Sequence, residues 1–287
     1  KEGLMQQILS PDQILDKLSD TYVLKARASS KKLLILSFLA GAFIAFAAQG
    51  STFASFNLLA NAETLGLGKL IQGLIFTPGL IFVLIAGAEL FTGNSLMIVS
   101  VLDKKLSIKE LLRAWGIVYL GNFLGSVFVA LILLKSGQWN SADSMLGARV
   151  ILIANSKIGL SFSQALLLGV LCNWLVCLAV WMSFGSDSQV GKMLSAFFPV
   201  MLFVVSGFEH SIANMYYIPA GILAKTVPEY LAASGLSEAA LSGLNWTSFF
   251  TKNLIPVTLG NIIGGGIFVG LAYWLAFRKR RNINEDN

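Results

Sequence analysis

Residues 76–94 read FTPGLIFVLIAGAELFTGN, and residues 197–214 read FFPVMLFVVSGFEHSIAN. Laid over each other, Phe76-Thr77-Pro78 falls on Phe197-Phe198-Pro199 and Phe82-Val83 on Phe203-Val204. Gly87, Glu89 and Asn94 fall on Gly207, Glu209 and Asn214. The same order of Pro, Gly, Glu and Asn therefore occurs twice, each time inside a stretch that is otherwise apolar. A second match lies further along each half, where Leu120-Gly121-Asn122 and Gly125 correspond to Leu259-Gly260-Asn261 and Gly264.

The setting of the repeat is a membrane. Of the 287 residues, 55% are hydrophobic and only 13% charged, about half the charge of an average soluble domain. Runs without an ionisable side chain cover 33–62, 114–134, 158–186 and 253–277, each meeting the roughly 18 residues that a transmembrane helix needs. Two further spans, 70–102 and 193–224, are interrupted only by Glu89 and by the pair Glu209-His210. Six spans follow, as three repeated once. An odd number of crossings reverses direction, so the second copy lies upside down relative to the first. The expected fold is an all-α membrane protein of six transmembrane helices, an inverted three-plus-three repeat with broken second and fifth helices. Such architectures place their site near the midplane, on discontinuous helices in corresponding positions. Pro78 and Pro199 early in the two spans, and the clusters Gly87-Glu89 and Gly207-Glu209 in mid-span, supply the kink and the polar group that irregular backbone in a membrane requires. The competing reading leaves both helices continuous and merely kinked at the prolines.

Three regions are expected: a cytoplasmic amphipathic helix in 1–32, a channel domain over 33–277 and a basic tail over 278–287. The first 32 residues show no apolar run beside a cleavage site, so no signal peptide is expected there. Ser10-Pro11-Asp12-Gln13 is a helix start, with a capping Ser, Pro in the first turn and Gln three residues after the Ser. Ile14, Leu15, Leu18 and Tyr22 then share a face, which suits either the membrane interface or packing against the bundle. With that helix inside, fifteen Lys and Arg lie on the inner side and six on the outer. The bias puts both termini in the cytoplasm of a multi-pass protein of the cell membrane. The net charge of +6 is basic side chains at helix ends, facing anionic lipid headgroups, and implies no nucleic-acid partner. Cys172 and Cys177 share one span but no helix face, and read as small packing residues. No cofactor and no metal is expected.

A charge at bilayer depth is unfavourable by at least about 2.5 kcal/mol, so Glu89, Glu209 and His210 must be buried in protein or line water. For the glutamates two readings stay open. Each carboxylate accepts from backbone N–H groups freed at its break and fixes the loop, or the pair carries protons. Recurrence in both halves favours the scaffold. His210, the chain's one histidine, has no counterpart, since Leu90 occupies the equivalent position. That asymmetry points to a direct role, and Thr92 is the nearest hydroxyl in the other half.

The segments AELFTGNSL (88–96), LCNWLVCLAVWMSF (171–184), SGFEHSIANM (206–215) and NLIPVTLGNIIGGG (253–266) resemble, in order, those of the formate/nitrite transporter family. The resemblance runs from about residue 35 to 277. It implies an aquaporin-like fold in a homopentamer with one pore per protomer, carrying small monovalent anions such as formate, nitrite, hydrosulfide or lactate. It further implies Thr92 facing His210 in a central chamber, Leu90 and Phe203 at an outer constriction, and Phe76 and Leu80 at an inner one. Asn173 and Asn214 would be polar groups of the pore wall, and Lys157 would draw anions into the outer vestibule.

Physical argument adds a route. Apolar constrictions strip water from a solute, which penalises a bare anion by several kcal/mol. Protonating a small carboxylic acid of pKa near 4 at pH 7 is unfavourable by roughly 4 kcal/mol. Passage as the neutral acid is therefore competitive, with His210 able to supply or hold the proton. Neutral-solute channels of this architecture should carry Asn-Pro-Ala at both breaks, and this chain does not. An enzyme built on Glu209-His210 lacks a nucleophile or metal set at usable spacing. A proton-coupled symporter remains the rival to a passive pore.

Overall fold

The computed structural model describes residues 8–278; most of the basic tail, and residues 1–7, lie outside that range. Every regular element within it is helical. In chain order they are α1 (Pro11–Ala26), α2 (Ser30–Ser55), α3 (Leu65–Phe76), α4 (Pro78–Ala86), α5 (Ile98–Leu102), α6 (Ile108–Lys135), α7 (Met145–Ile158), α8 (Phe162–Phe184), α9 (Gln189–Val205), α10 (Ser211–Ala224), α11 (Pro228–Ser234) and α12 (Trp246–Phe277). Among the described residues, five stretches are long and apolar enough to cross a membrane: α2, the near-continuous run Ala62–Ala86, α6, α8 and α12. The 17 residues of α9 and 14 of α10 fall short separately.

Breaks occur where the repeat puts them, and glycine makes them. α4 ends at Gly87 with φ +78°, and the chain after α9 turns at Gly207 with φ +71°. In this left-handed region a β-carbon crowds the following carbonyl, at about 1–2 kcal/mol for a non-glycine residue. The prolines do less. Pro199 sits inside α9, and Pro78 opens α4 after the single residue Thr77. The helical run before the first break begins earlier than the expected residue 70, at Ala62.

The two halves pack alike. α2 lies along α6, and α8 along α12. Gly260 and Gly264 permit the second contact, because a β-carbon there would stand 2.1 and 2.2 Å from the carbonyl oxygens of Leu166 and Val170. The close approach these glycines allow is between two helices of one chain. α12 carries two π-helical segments, Phe249–Leu254 and Ile263–Leu271, one on either side of Asn261.

The apolar face of α1 is buried against the bundle: Leu15, Leu18 and Tyr22 are at most 2% exposed. Of the two settings open to this helix, packing on the protein is the one realised. Polar ties hold it there. Tyr22 Oη donates to Gly93 O (2.7 Å), Ser19 Oγ to Asp103 (2.6 Å), and Arg278 pairs with both Asp16 and Asp103. Lys17 pairs with Asp187 at 2.8 Å and holds that carboxyl below its usual pKa. A carboxyl depressed in the folded state contributes fully above the ordinary Asp value and is lost only as pH falls through the lowered one. This tie therefore survives throughout the range from pH 5 to 8.

Candidate functional site

Each break is closed by the same set of contacts. At the first, Asn122 of α6 accepts from Phe91 N (2.9 Å) and donates to Glu89 O (2.9 Å) and Ser37 O (2.7 Å). At the second, Asn261 of α12 accepts from Ser211 N (2.9 Å) and donates to Glu209 O (3.0 Å) and Gly169 O (2.8 Å). Backbone groups that leave a helix inside a membrane need partners within the protein, and these two asparagines provide them. This corrects the scaffold reading of the glutamates: the freed N–H groups of Phe91 and Ser211 are met by asparagine amides. The reason is geometric, since both carboxylates point away from the break towards a lysine. Glu89 meets Lys25 (3.1 Å) and Asn94 (3.0 Å), while Glu209 meets Lys157 (2.8 Å), Asn214 (2.6 Å) and Asn253 (3.3 Å).

Between the breaks, Thr92 Oγ1 and His210 Nε2 lie 2.9 Å apart, both side chains buried. His210 is also the N-cap of α10, its Nδ1 accepting from Ala213 N at 3.1 Å. An imidazole nitrogen that accepts a backbone N–H carries no proton. The neutral ring therefore bears its hydrogen on Nε2 and donates it to Thr92. A second proton on Nδ1 would confront the Ala213 N–H, so His210 holds one proton for as long as it caps the helix.

Three cavities follow one another past this pair. A vestibule of about 240 Å³ on the α1 face is lined by Lys17, Lys25, Glu89, Lys192, Leu80 and Leu90. One of about 300 Å³ on the opposite face is lined by Lys69, Arg149, Lys157, Glu209, Phe76 and Phe203, with Asn214 and His210 at its floor. A chamber of only about 10 Å³, near the room of one water molecule, lies between them and is walled by Phe76, Leu80, Leu90, Phe203 and His210 together with Ile44, Val176 and Val200.

The apolar walls pair differently from the expected constrictions. Leu80 and Leu90 border the α1-face vestibule, whereas Phe76 and Phe203 border the other, their rings edge to face with centroids 5.8 Å apart. Phe76 and Leu80 are four residues apart on a nearly continuous helix and so about 6 Å apart along its axis. Both also wall the small central chamber, together with Leu90 and Phe203.

Asn173 also stands elsewhere than expected. It is fully buried and lines none of the three cavities. Its amide donates to Thr92 O (3.1 Å) and Asn261 O (2.6 Å), fastening the two halves together. Asn214 does line the Lys157-face cavity, where its Oδ1 has no hydrogen-bond partner. Cys177 is buried with its thiol towards Thr92 O (3.3 Å).

Sequence reasoning passed over Lys25, Asn253 and the roles of Asn122 and Asn261, although the last two stand in the repeated Leu-Gly-Asn. It also missed α7, which carries Arg149 and Lys157. The buried positions of that helix, Leu146, Val150, Ile151, Ala154 and Ile158, keep a helical period that would have revealed it.

Comparison with known proteins agrees with this geometry. The family model described as Formate/nitrite transporter matches residues 12–275. The probable formate transporter of Methanothermobacter thermautotrophicus is 39% identical over 94% of this chain and 97% of its own. The formate channel FocA of Escherichia coli K12 is 37% identical over 96% of each. Among solved structures, a pentameric formate channel with formate bound superposes with a TM-score of 0.78 at 41% identity, over 87% of this chain and 98% of that one. An FNT family ion channel gives 0.77 at 28% identity, over 92% and 98%. On a family match across nearly the whole length and relatives this similar from end to end, the chain belongs to the formate/nitrite transporter family.

Proposed function

We propose that the chain is a homopentameric channel of the cell membrane, with six crossings and a pore in each protomer, that moves small monovalent anions of weak acids, formate foremost. The observation that carries this is His210 in the wall of a tiny apolar chamber, held from behind by the buried Thr92, with a lysine-carboxylate pair at each mouth. Leu80 with Leu90, and Phe76 with Phe203, act as the two constrictions. The family and the formate-bound structural relative support formate over nitrite, hydrosulfide and lactate.

The arrangement suits a solute that enters as an anion and crosses as its acid. The cations that line each mouth outnumber its carboxylates, which raises the local anion concentration. The constrictions exclude water, which penalises the anion by several kcal/mol and leaves the acid competitive. Because His210 Nε2–H is directed at Thr92 Oγ1, the threonine hydroxyl hydrogen is the donor left for an oxygen of the solute. The proton comes from solution with the solute.

Two measurements test the reading. Purified protein in liposomes should take up formate faster than glycerol, with nitrite, hydrosulfide and lactate ranked in the same assay. Glycerol passing as readily as formate would refute it. The detergent-solubilised mass should be that of five chains, and a transport-competent monomer would overturn the assembly. Termini on the cytoplasmic side are the orientation proposed, checked by protease access to tags at both ends in sealed vesicles. Uptake driven by a pH gradient against a formate gradient would replace the passive channel by a proton symporter.

A further inference from the structure

The Lys157-face vestibule holds more positive charge than its carboxylate can balance. Lys69 from α3, Arg149 from α7 and Lys157 at the end of α7 all line it, against Glu209 alone. Glu209 is spoken for: Lys157 takes one oxygen, Asn214 and Asn253 the other. Lys157 is itself only 16% exposed at its side chain. Among the described residues, neither Lys69 nor Arg149 has an ion pair or a side-chain hydrogen bond, and Arg149 Nε is buried without a partner. The opposite vestibule is lined by Lys17, Lys25 and Lys192, of which Lys17 pairs with Asp187 and Lys25 with Glu89, so among the described residues one cation is left unpaired there against two here.

A guanidinium with a buried, unpaired nitrogen is unfavourable unless something else provides the acceptor. Its planar fork matches a flat anion with two oxygens, whereas an ammonium is indifferent to shape. Lys69 lies beside the second break, its Nζ 3.9 Å from where a β-carbon on Gly207 would stand. Both cations thus border a cavity that also reaches Phe76, Phe203 and His210.

We propose that Arg149 and Lys69 form an anion-capture site that takes a planar monovalent oxyanion, a small carboxylate or nitrite, before it meets the Phe76–Phe203 constriction. Arg149 grips the two oxygens and Lys69 supplies the second charge. Lys157 stays with Glu209. The site's place on a transport path rests on the channel reading above, but binding at it does not require transport.

The test uses trifluoroacetate, which stays ionised at every pH of interest, as a fluorine NMR probe with the assembled, detergent-solubilised protein. Its line should broaden on the wild type and sharpen with added formate, while an equal concentration of chloride should do much less. Broadening should fall roughly fivefold in Arg149→Gln, the scale of one lost charge-assisted hydrogen bond, and also in Lys69→Gln. Arg149→Lys should recover part of it. Lys252→Gln is the control, since Lys252 is exposed and lines none of these cavities; it should behave as wild type. All variants are compared at the same oligomer size. Broadening unchanged in both Arg149→Gln and Lys69→Gln, or chloride competing as well as formate, overturns the site. In liposomes, Arg149→Gln should raise the half-saturating formate concentration and flatten its dependence on ionic strength while leaving the maximal rate. Unaltered half-saturation despite lost binding overturns its place on the path. A wild type that binds trifluoroacetate yet passes no formate leaves the site standing and removes the channel reading instead.

Discussion

Replacing Asn261 with leucine is expected to cost about 3 kcal/mol or more of stability and to abolish assembly of the protein in detergent. The side chain is fully buried and satisfies Ser211 N, Glu209 O and Gly169 O at once. Leucine fills a similar volume but leaves one N–H and two carbonyls without partners, each unfavourable by about 1–3 kcal/mol. Asn261→Asp should fall between only as the protonated acid, which accepts from Ser211 N and donates to one of the two carbonyls. Asn122→Leu should match Asn261→Leu, because its three contacts are the same by the repeat. Glu209→Gln should be milder, as the amide oxygen still accepts from Lys157 or from an asparagine amide. Thermal unfolding with size-exclusion of each variant makes the comparison. Asn261→Leu as stable as wild type, with Glu209→Gln unassembled, would return the break to the glutamate.

Whatever is expensive in a membrane was easy to see in the sequence. Left-handed turns call for glycine, and buried carboxylates are rare, so Gly87-Glu89 and Gly207-Glu209 stood out against apolar surroundings and located both breaks. The asymmetry of Leu90 and His210 was visible for the same reason. Partners of these groups were harder to read. Lys25 is indistinguishable in sequence from the other basic residues near helix ends, and only the docking of α1 shows that it meets Glu89 across the fold. Asn173 reads as pore wall from the family resemblance alone. A buried amide serves equally well as a fastener, and the carbonyls of Thr92 and Asn261 make it one. The levels of Phe76 and Leu80 depended on helical rise, which a motif comparison does not carry.

The repeat also explains why the two breaks share their closing residues yet differ at the chamber. Glycine and the asparagine of Leu-Gly-Asn occur in both copies because each half breaks its own helix and must satisfy its own backbone. The solute meets both halves at once, so one donor pair suffices. Thr92 comes from the first half and His210 from the second, and the equivalent of His210 is free to be Leu90, which walls the chamber instead.

His210→Asn should lower formate flux while leaving the shape of its pH dependence unchanged. Asparagine is a good helix N-cap, so it should keep accepting from Ala213 N as the imidazole Nδ1 does, and the second break should hold. What is lost is the donor to Thr92, worth about 1 kcal/mol, or roughly a fivefold reduction in rate. The pH course has another origin. Above a pKa near 4 the fraction of neutral formic acid falls tenfold per pH unit, so flux through apolar constrictions should drop about tenfold for each unit between pH 5 and 8, in variant and wild type alike. Imidazole titration would act in the same range, but a second proton needs Nδ1 to leave Ala213, and the cap prevents it. Wild type and variant are compared in matched vesicles, each sample checked for oligomer size. A variant whose flux no longer varies with pH would mean that His210 abandons its cap during transport and hands the solute its proton. Parallel profiles would place that proton in bulk solution and leave His210 as the fixed donor that orients Thr92.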